Sequence, residues 1–539
     1  MDSSVFSKDY YLGCAVDSAG DIYAAAEYIG NMQVLTNGNA ANILTSVGAN
    51  GGVALVKHAA NGNPLWAVGL TNNQTVSSSY GIAVAVAPGN GAYIASGISG
   101  TNWLGTNRFV DAGGGSILLS RFDANGSNVW SRLIGGTNSI NTSYNMLVSD
   151  ASGNVTLAGN MSGTVNFGGT NLSTTSGGGF VVQYDANGAV RWAQTIPDNA
   201  FNLAYSSGLL YVTLQSSVAS GVTNMSIGSL SNLTDRAWAI GCLNATNGQA
   251  IWLRGVGEQV DAHIGLVDNI PQISVSGSNV FLTGNAYGPS VVFGGLSVPL
   301  PSGRGQYFAR YDTNGNPQVA TGFGNSTTTV WASAANASGV YVCGDFDNYS
   351  QFGNYLVAAP VYTQNDLGPL YFTQPFVAKF DRNGNPLWAR NGVSSDLANF
   401  RGIATTSDGV WGAGFLKITN TVPAQFGAYN VYSDHYIVTV GIFAIINWTQ
   451  AGMLAKITEA TATAAPVTLL NPQDNGVNFQ FQFLSQAGFS HSILCRTNLV
   501  AGNWRTNSSV AGDGSLKTIS IPLSVFSPSK QGFVRVTTE

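Results

Sequence analysis

Apolar and polar positions alternate along Gly178 to Gln194, GGFVVQYDANGAVRWAQ. Phe180, Val182 and Tyr184 share one face, the chain reverses through Asp185, Asn187 and Gly188, and a second run carries Trp192. A period of two predicts strands with one buried face; Asp and Asn tolerate tight-turn geometry and Gly supplies positive φ, so the stretch predicts a β-hairpin. It recurs as LVKHAANGNPLW ending at Trp66, LSRFDANGSNVW at Trp130, AIGCLNATNGQAIW at Trp252 and VAKFDRNGNPLW at Trp388. FARYDTNGNPQV, ending at Val319, is a copy without the tryptophan.

Successive copies lie 64, 62, 60, 67 and 69 residues apart. Four strand-like segments per repeat at this spacing predict a propeller or another array of repeated sheets, overriding the several domains that length alone suggests. A second paired motif precedes each hairpin: Tyr11 to Val16 with Asp21 to Tyr28 is the first copy, and Arg401 to Thr405 with Val410 to Gly414 the seventh. The hairpin's first strand also occurs seven times, the last from Met453 to Ile457, but its tryptophan strand follows a turn only six times. Ser4 to Ser7 is the donor of the missing strand, since pairing the N-terminus with the last sheet removes two exposed edges. The expectation is an all-β chain. A seven-bladed β-propeller with the tryptophan strand outermost covers 1–459, followed by a linker at 460–466 and a small β-sandwich at 467–539.

The turn order places short turns such as Asp150 to Gly153 on one face and long insertions on the other. The insertions are patterned: GTVNFGGTNL from Gly163, PSVVFGGLSV from Pro289, YSQFGNYLV from Tyr349 and PAQFGAYNV from Pro423. An aromatic, then Gly, then an apolar residue predicts an extra small hairpin in each repeat.

These residues, GIAVDxxGNVYVxG followed by xxFGxxxL and GGxDxFVxKYDxNGxxxW in outline, resemble the bacterial seven-bladed β-propeller repeat family of secreted and cell-surface proteins. The resemblance covers roughly Ser4 to Ile457 and speaks to fold, because the shared residues build turns and sheet packing. From Val467 the pattern changes to short alternating runs. Thr497-Asn498-Leu499 to Trp504 and the final Phe533-Val534-Arg535-Val536 are similar to C-terminal modules of secreted proteins from the Verrucomicrobia group, which implies surface attachment or docking.

Charged residues are only 9% of the chain, with a net charge of -5 and pI near 5.3, so there is no basic footprint for nucleic acid or an anionic membrane. Tyr436 to Trp448, the longest apolar stretch, is too short to span a bilayer as a helix. No signal peptide is legible at Met1, so a secreted protein would be numbered here from its mature chain. Cys14, Cys242, Cys343 and Cys495 show no short spacing and read as buried small hydrophobes.

Asp312 to Asn316 and Asp381 to Asn385 resemble the start of a calcium loop, but no acidic residue completes the shell, and turn capping explains the same residues. No metal or cofactor is expected. The Gly-to-Trp tail resembles the tryptophan-docking repeat of quinone-dependent dehydrogenases and, less closely, the Asp-box of sialidases, both structural hairpins. Arg108, Arg132, Arg304 and Arg401 form no recognisable set, and His58, His263, His435 and His491 are singletons in four contexts. Glu258, Asp261 and Asp268 cluster in one connection.

Aromatics of the insertions are the candidate binding residues: Trp103, Tyr349, Tyr355, Tyr362, Tyr429, Tyr432 and Tyr436, with Tyr371 beside them. Flanked by Asn, Gln and Asp, such rings suit sugar stacking and protein interfaces alike, or pin the small hairpins. The expected function is a non-catalytic extracellular or cell-surface binding and assembly module. Its expected partners are other copies of itself or a cell-surface protein or glycan, and the apolar run Ile437 to Ile446 is one surface for them. The alternative is a polysaccharide lyase or hydrolase, or a glycan-binding lectin, using the long-loop face.

Overall fold

The computed structural model describes residues 8–29, 31–36, 39–45, 52–72, 82–135, 138–142, 145–216, 223–234, 238–256, 270–300, 302–360, 362–364, 368–370, 372–394, 397–417, 424–426, 429–431, 435–440, 443–448, 450–458, 469–485, 490–498, 503–511, 516–527 and 531–538. The chain divides into two compact units, Met1–Ile457 and Thr458–Glu539.

The first unit is all β. Its first sheet orders Lys8–Val16, Ile22–Ile29, Gly52–His58 and Pro64–Asn72 as an antiparallel meander, and the same plan repeats five times. The inner strands of the later sheets are Ile82–Ala87, Leu147–Ser149, Asn199–Ser206, Gln272–Ser276 and Thr328–Asn336, and each outermost strand carries the tryptophan or, in the fifth sheet, Val319. A last sheet shows three described strands, Ala398–Thr405, Gly409–Lys417 and Gln450–Thr458. Each inner strand contacts the next, and Ala398–Thr405 contacts Lys8–Val16, so the contacts run in a cycle. Meander sheets arranged in this way are the architecture of a β-propeller. One parallel backbone pair, Lys8 with Gln450, ties the first sheet to the last; Ser4 to Ser7 lie outside the described residues.

Neighbouring sheets are held by their tryptophans. The indole N–H groups of Trp66, Trp130, Trp192 and Trp252 donate to Ala124, Ala186, Ala245 and Thr313 O in the hairpin turn of the following sheet, at 2.9, 2.9, 3.0 and 2.8 Å. In the turns at Asp123, Asp185, Asp312 and Asp381, Oδ1 accepts from backbone N–H groups two and four residues on, at 2.8–2.9 Å. The turn carboxylates therefore act as local caps. Gly188 closes its turn at φ 78°, and a Cβ there would stand 3.0 Å from Trp130. Where the tryptophan is lost at Val319, Thr321 and Phe308 fill the place over Gly384.

The small hairpins form as the insertion pattern predicts, among them Thr101–Leu104 with Asn107–Val110, Ser290–Phe293 with Leu296–Pro299, and Tyr349–Phe352 with Tyr355–Ala358. Phe167, Phe293 and Phe352 of the FG motif are fully buried and pack on Phe180, Tyr307 and Phe376. The third inner strand is interrupted rather than continuous: Asn145 takes a left-handed conformation at φ 59° and gives its carbonyl to Leu203 N of the fourth sheet, while Ile140–Asn141 and Leu147–Ser149 on either side both pair with Val155–Asn166.

The second unit contains two three-stranded sheets, one built on Asn478–Leu484 and the other on Ser490–Arg496, sharing a core that includes Phe481, Phe483, Ile493 and Ile521. The expected linker at 460–466 lies outside the described residues.

Replacing Trp130 by Phe keeps most of the ring contact but deletes one of the two donors to Ala186 O, the other being Arg121 Nη1 at 2.7 Å. The expected result is a loss of about 1–2 kcal/mol in unfolding free energy, read as a lower urea midpoint at constant slope. An unchanged midpoint would mean that packing alone holds the seam.

Candidate functional site

A recurring contact at the long-loop end of the sheets defines what is unusual in the sixth. In the second strand of the third sheet, Asn160 follows Gly159; its Oδ1 accepts from Ala200 N (2.8 Å) and its Nδ2 donates to Ala200 O (3.2 Å) on the next inner strand. Asn285, after Gly284 in the fifth sheet, does the same with Val330 at 2.9 and 3.1 Å. An amide suits this place because it both donates and accepts. The sixth sheet has Gly344-Asp345 there instead. Gly344 is required, since a Cβ would fall 1.9 Å from Thr329 O.

Ionised Asp345 cannot donate to a backbone carbonyl, and its surroundings differ accordingly. Oδ2 accepts from Trp331 Nε1 at 2.5 Å. The Arg401 guanidinium lies over the Trp331 ring, 3.5 Å from its centroid. With its amide oxygen turned inward, Asn399 accepts from Arg401 Nε and Nη2 at 3.2 and 3.3 Å. Trp331 and Arg401 both occupy β-bulges of their inner strands, where the register shifts between Val330 and Ala332 and between Phe400 and Gly402. Bulges re-aim side chains that a regular strand would point elsewhere. From the fifth sheet, Arg304 lies 5.1 Å over the Tyr287 ring and reaches Thr329 Oγ1 at 3.4 Å, while its buried Nε has no hydrogen-bond partner among the described residues. Asp347 accepts from Thr373 Oγ1 at 2.8 Å.

Burial pushes the Asp345 carboxyl up to about 7, with Asp347 adding to the rise; the Trp331 N–H, Arg401 and Arg304 pull the other way. Three sheets thus bring two arginine–aromatic pairs near a carboxyl that burial holds well above the usual carboxylate range.

Among the described residues, the rim aromatics Trp103 and Tyr349 stand on different small hairpins. Trp103 is half-buried in the second sheet's hairpin, in register with Thr71 on the first sheet's outer strand. Tyr349 and Tyr355 are 46% and 40% exposed on the sixth sheet's hairpin, beside Leu356 at 62%. Tyr362, Tyr429 and Tyr436 stand in short paired strands, Tyr362–Gln364, Tyr429–Val431 and His435–Val440, with side chains outside the described residues. Tyr371, Tyr432, Glu258, Asp261, His263 and Asp268 also lie outside them, as do the side chains of His435 and of the run Ile437 to Ile446.

Other reactive groups have structural work. His58 Nδ1 lies 3.1 Å from Gly62 O, and burial lowers its pKa; His491 is fully buried. The four cysteines are free, and burial drives the Cys14 and Cys242 thiols up to about 12. At the short-turn end, a depression of about 690 Å³ is bordered by Asp17, Asn336, Asp408 and Lys456. Its charges are paired: Lys456 with Asp408 (2.9 Å), and Lys57 with Asp17 and Asp21 (3.2 Å each).

Sequence reading missed Asp345 and set Arg304 and Arg401 aside as scattered. The available signal was the acid standing where two other repeats carry Gly-Asn.

No protein-family model matches the chain, and no curated protein matches it. Among solved structures it is similar to the quinohemoprotein alcohol dehydrogenase ADHIIG of Pseudomonas putida, at 12% identity over 87% of this chain and 79% of that one, with a TM-score of 0.33. It is also similar to BamB of Moraxella catarrhalis (11%, 59% and 95%, 0.25) and to the apocarotenoid oxygenase of Synechocystis (11%, 84% and 96%, 0.37). Likeness this distant says nothing of activity or ligand, and the fold rests on the strand order given above.

The folded value of Asp345 stands above the ordinary carboxylate value of about 3.9, so the native state keeps a proton that the unfolded chain releases. The stabilising contribution is complete below about pH 4 and is lost as pH rises through about 7. Wild type should lose melting temperature across that window relative to Asp345→Asn, which is neutral throughout. Superimposable pH profiles would refute the assignment.

Proposed function

We propose that the chain is a closed seven-bladed β-propeller, completed by its N-terminal residues, that serves as a non-catalytic extracellular or cell-surface module for binding and assembly. Closure is supported by the cyclic contacts of the inner strands and by the Lys8–Gln450 pair. The binding role is carried by one observation, the hairpin at Tyr349–Ala358. Its buried side, Phe352 and Val357, anchors it to the sixth sheet, while Tyr349, Tyr355 and Leu356 face solvent. A paired hairpin that presents large side chains loses little conformational freedom when it meets a partner. A surface in which charged residues are scarce adds little repulsion between copies, which favours packing into a fibre, sheath or layer.

Light scattering and negative-stain microscopy of the full chain test this. Regular polymers are expected, with loss of assembly on replacing Tyr349, Tyr355 and Leu356 by Ser. A strictly monomeric wild type would overturn the assembly reading.

The second reading, a polysaccharide lyase or hydrolase, is favoured by Asp345 alone, since an acid that titrates near neutrality can donate or accept a proton in catalysis. It requires release of new reducing ends from polysaccharide by wild type and at least a hundredfold loss in Asp345→Asn, the scale at which a general acid or base contributes. Equal or absent turnover by both proteins would eliminate it.

A further inference from the structure

We propose that Arg304, Arg401 and Asp345, with Trp331 and Tyr287 as supports, form a binding site for a sugar carboxylate of the uronic acid type. This names a ligand class on the long-loop face and rests on that face being the binding face.

Guanidinium groups recognise carboxylates through planar paired N–H donors, more strongly when their orientation is already fixed. Both arginines meet that condition: Arg401 lies on Trp331 and is braced by Asn399, and Arg304 lies on Tyr287. The Nε of Arg304 is buried, so a carboxylate would meet its terminal nitrogens, one of which reaches Thr329 Oγ1 at 3.4 Å.

Asp345 would repel an anion if ionised, but in its protonated form it donates an O–H to one of the incoming oxygens. The charged or titratable groups facing it are Arg304 from the fifth sheet, Asp347 and Cys343 from its own strand and turn, and Arg401 from the last sheet. With Asp345 protonated and the Cys343 thiol neutral, two positive charges stand against Asp347, whose Oδ1 already accepts from Thr373. A net positive, partly desolvated cluster with one acidic O–H fits one carboxylate. Thr329, already in reach of Arg304, adds a hydroxyl nearby for a sugar hydroxyl.

Calorimetric titration of the full chain with D-glucuronate, D-glucose and acetate tests the site. Glucuronate is expected to bind with a Kd of about 1 mM or tighter. Glucose should bind at least tenfold more weakly. Acetate binding equally well would show a site for small carboxylates in general and overturn the sugar assignment. Arg304→Met and Arg304→Lys, each checked for an unchanged circular dichroism spectrum, should weaken glucuronate binding at least tenfold, the lysine failing because it lacks the planar fork. Undiminished binding by either folded variant would refute the site.

Binding takes up a proton at Asp345. Affinity should therefore fall by up to tenfold per pH unit above about 7 in wild type and stay flat in Asp345→Asn. Wild type that polymerises but ignores glucuronate sinks this inference alone. Wild type that binds glucuronate but stays monomeric sinks only the assembly reading.

Discussion

Four successive seams of the first unit depend on one hydrogen bond made over and over, from an indole on the outer strand of one sheet to a turn carbonyl of the next. Trp66, Trp130, Trp192 and Trp252 each make it, and each ring covers the turn glycine below it. Sheets that touch through apolar faces can slide, because dispersion contacts are not directional. A donor with one fixed acceptor removes that freedom. It sets the angle between neighbours and so fixes which side chains meet at the long-loop ends.

The same physics explains what could be read from the chain. Hairpin turns, tryptophan strands and buried FG aromatics were legible because each depends on residues within a few positions of one another, as the bonds of Asp185 to Asn187 and Ala189 illustrate. The break in the third inner strand left no mark in the alternation, because a contact with Leu203 of the next sheet goes with the left-handed conformation of Asn145. Trp103, Tyr349 and Tyr355 stand on small hairpins, yet alternation along a strand does not say which hairpins share a neighbourhood, and Trp103 and Tyr349 stand on different ones. Asp345 was illegible for a related reason. Its partners Trp331, Arg304 and Arg401 sit on three sheets, and bulges that re-aim two of them leave no mark in the apolar pattern.

Comparison between repeats turns a single acid into a finding. Asn160 and Asn285 satisfy both a donor and an acceptor of the next inner strand, a task an ionised carboxylate cannot perform. At the seam after the sixth sheet the Arg401 guanidinium stacks on the Trp331 indole, beside a backbone bond from Ala398 N to Thr373 O at 3.1 Å and an apolar cluster that includes Tyr341, Val377 and Phe400.

The indole contact also has a direction. The second, third and fourth sheets each carry the indole on the last strand and an accepting carbonyl in the last turn, so one such unit holds both halves of the joint. A tandem copy of such a unit meets its predecessor through a joint that already exists, and lineages of rings with differing circumference can arise by simple gene amplification. The copy ending at Val319, where phenylalanine and threonine have taken over the indole's place, marks how far a unit can drift once its neighbours hold it in line.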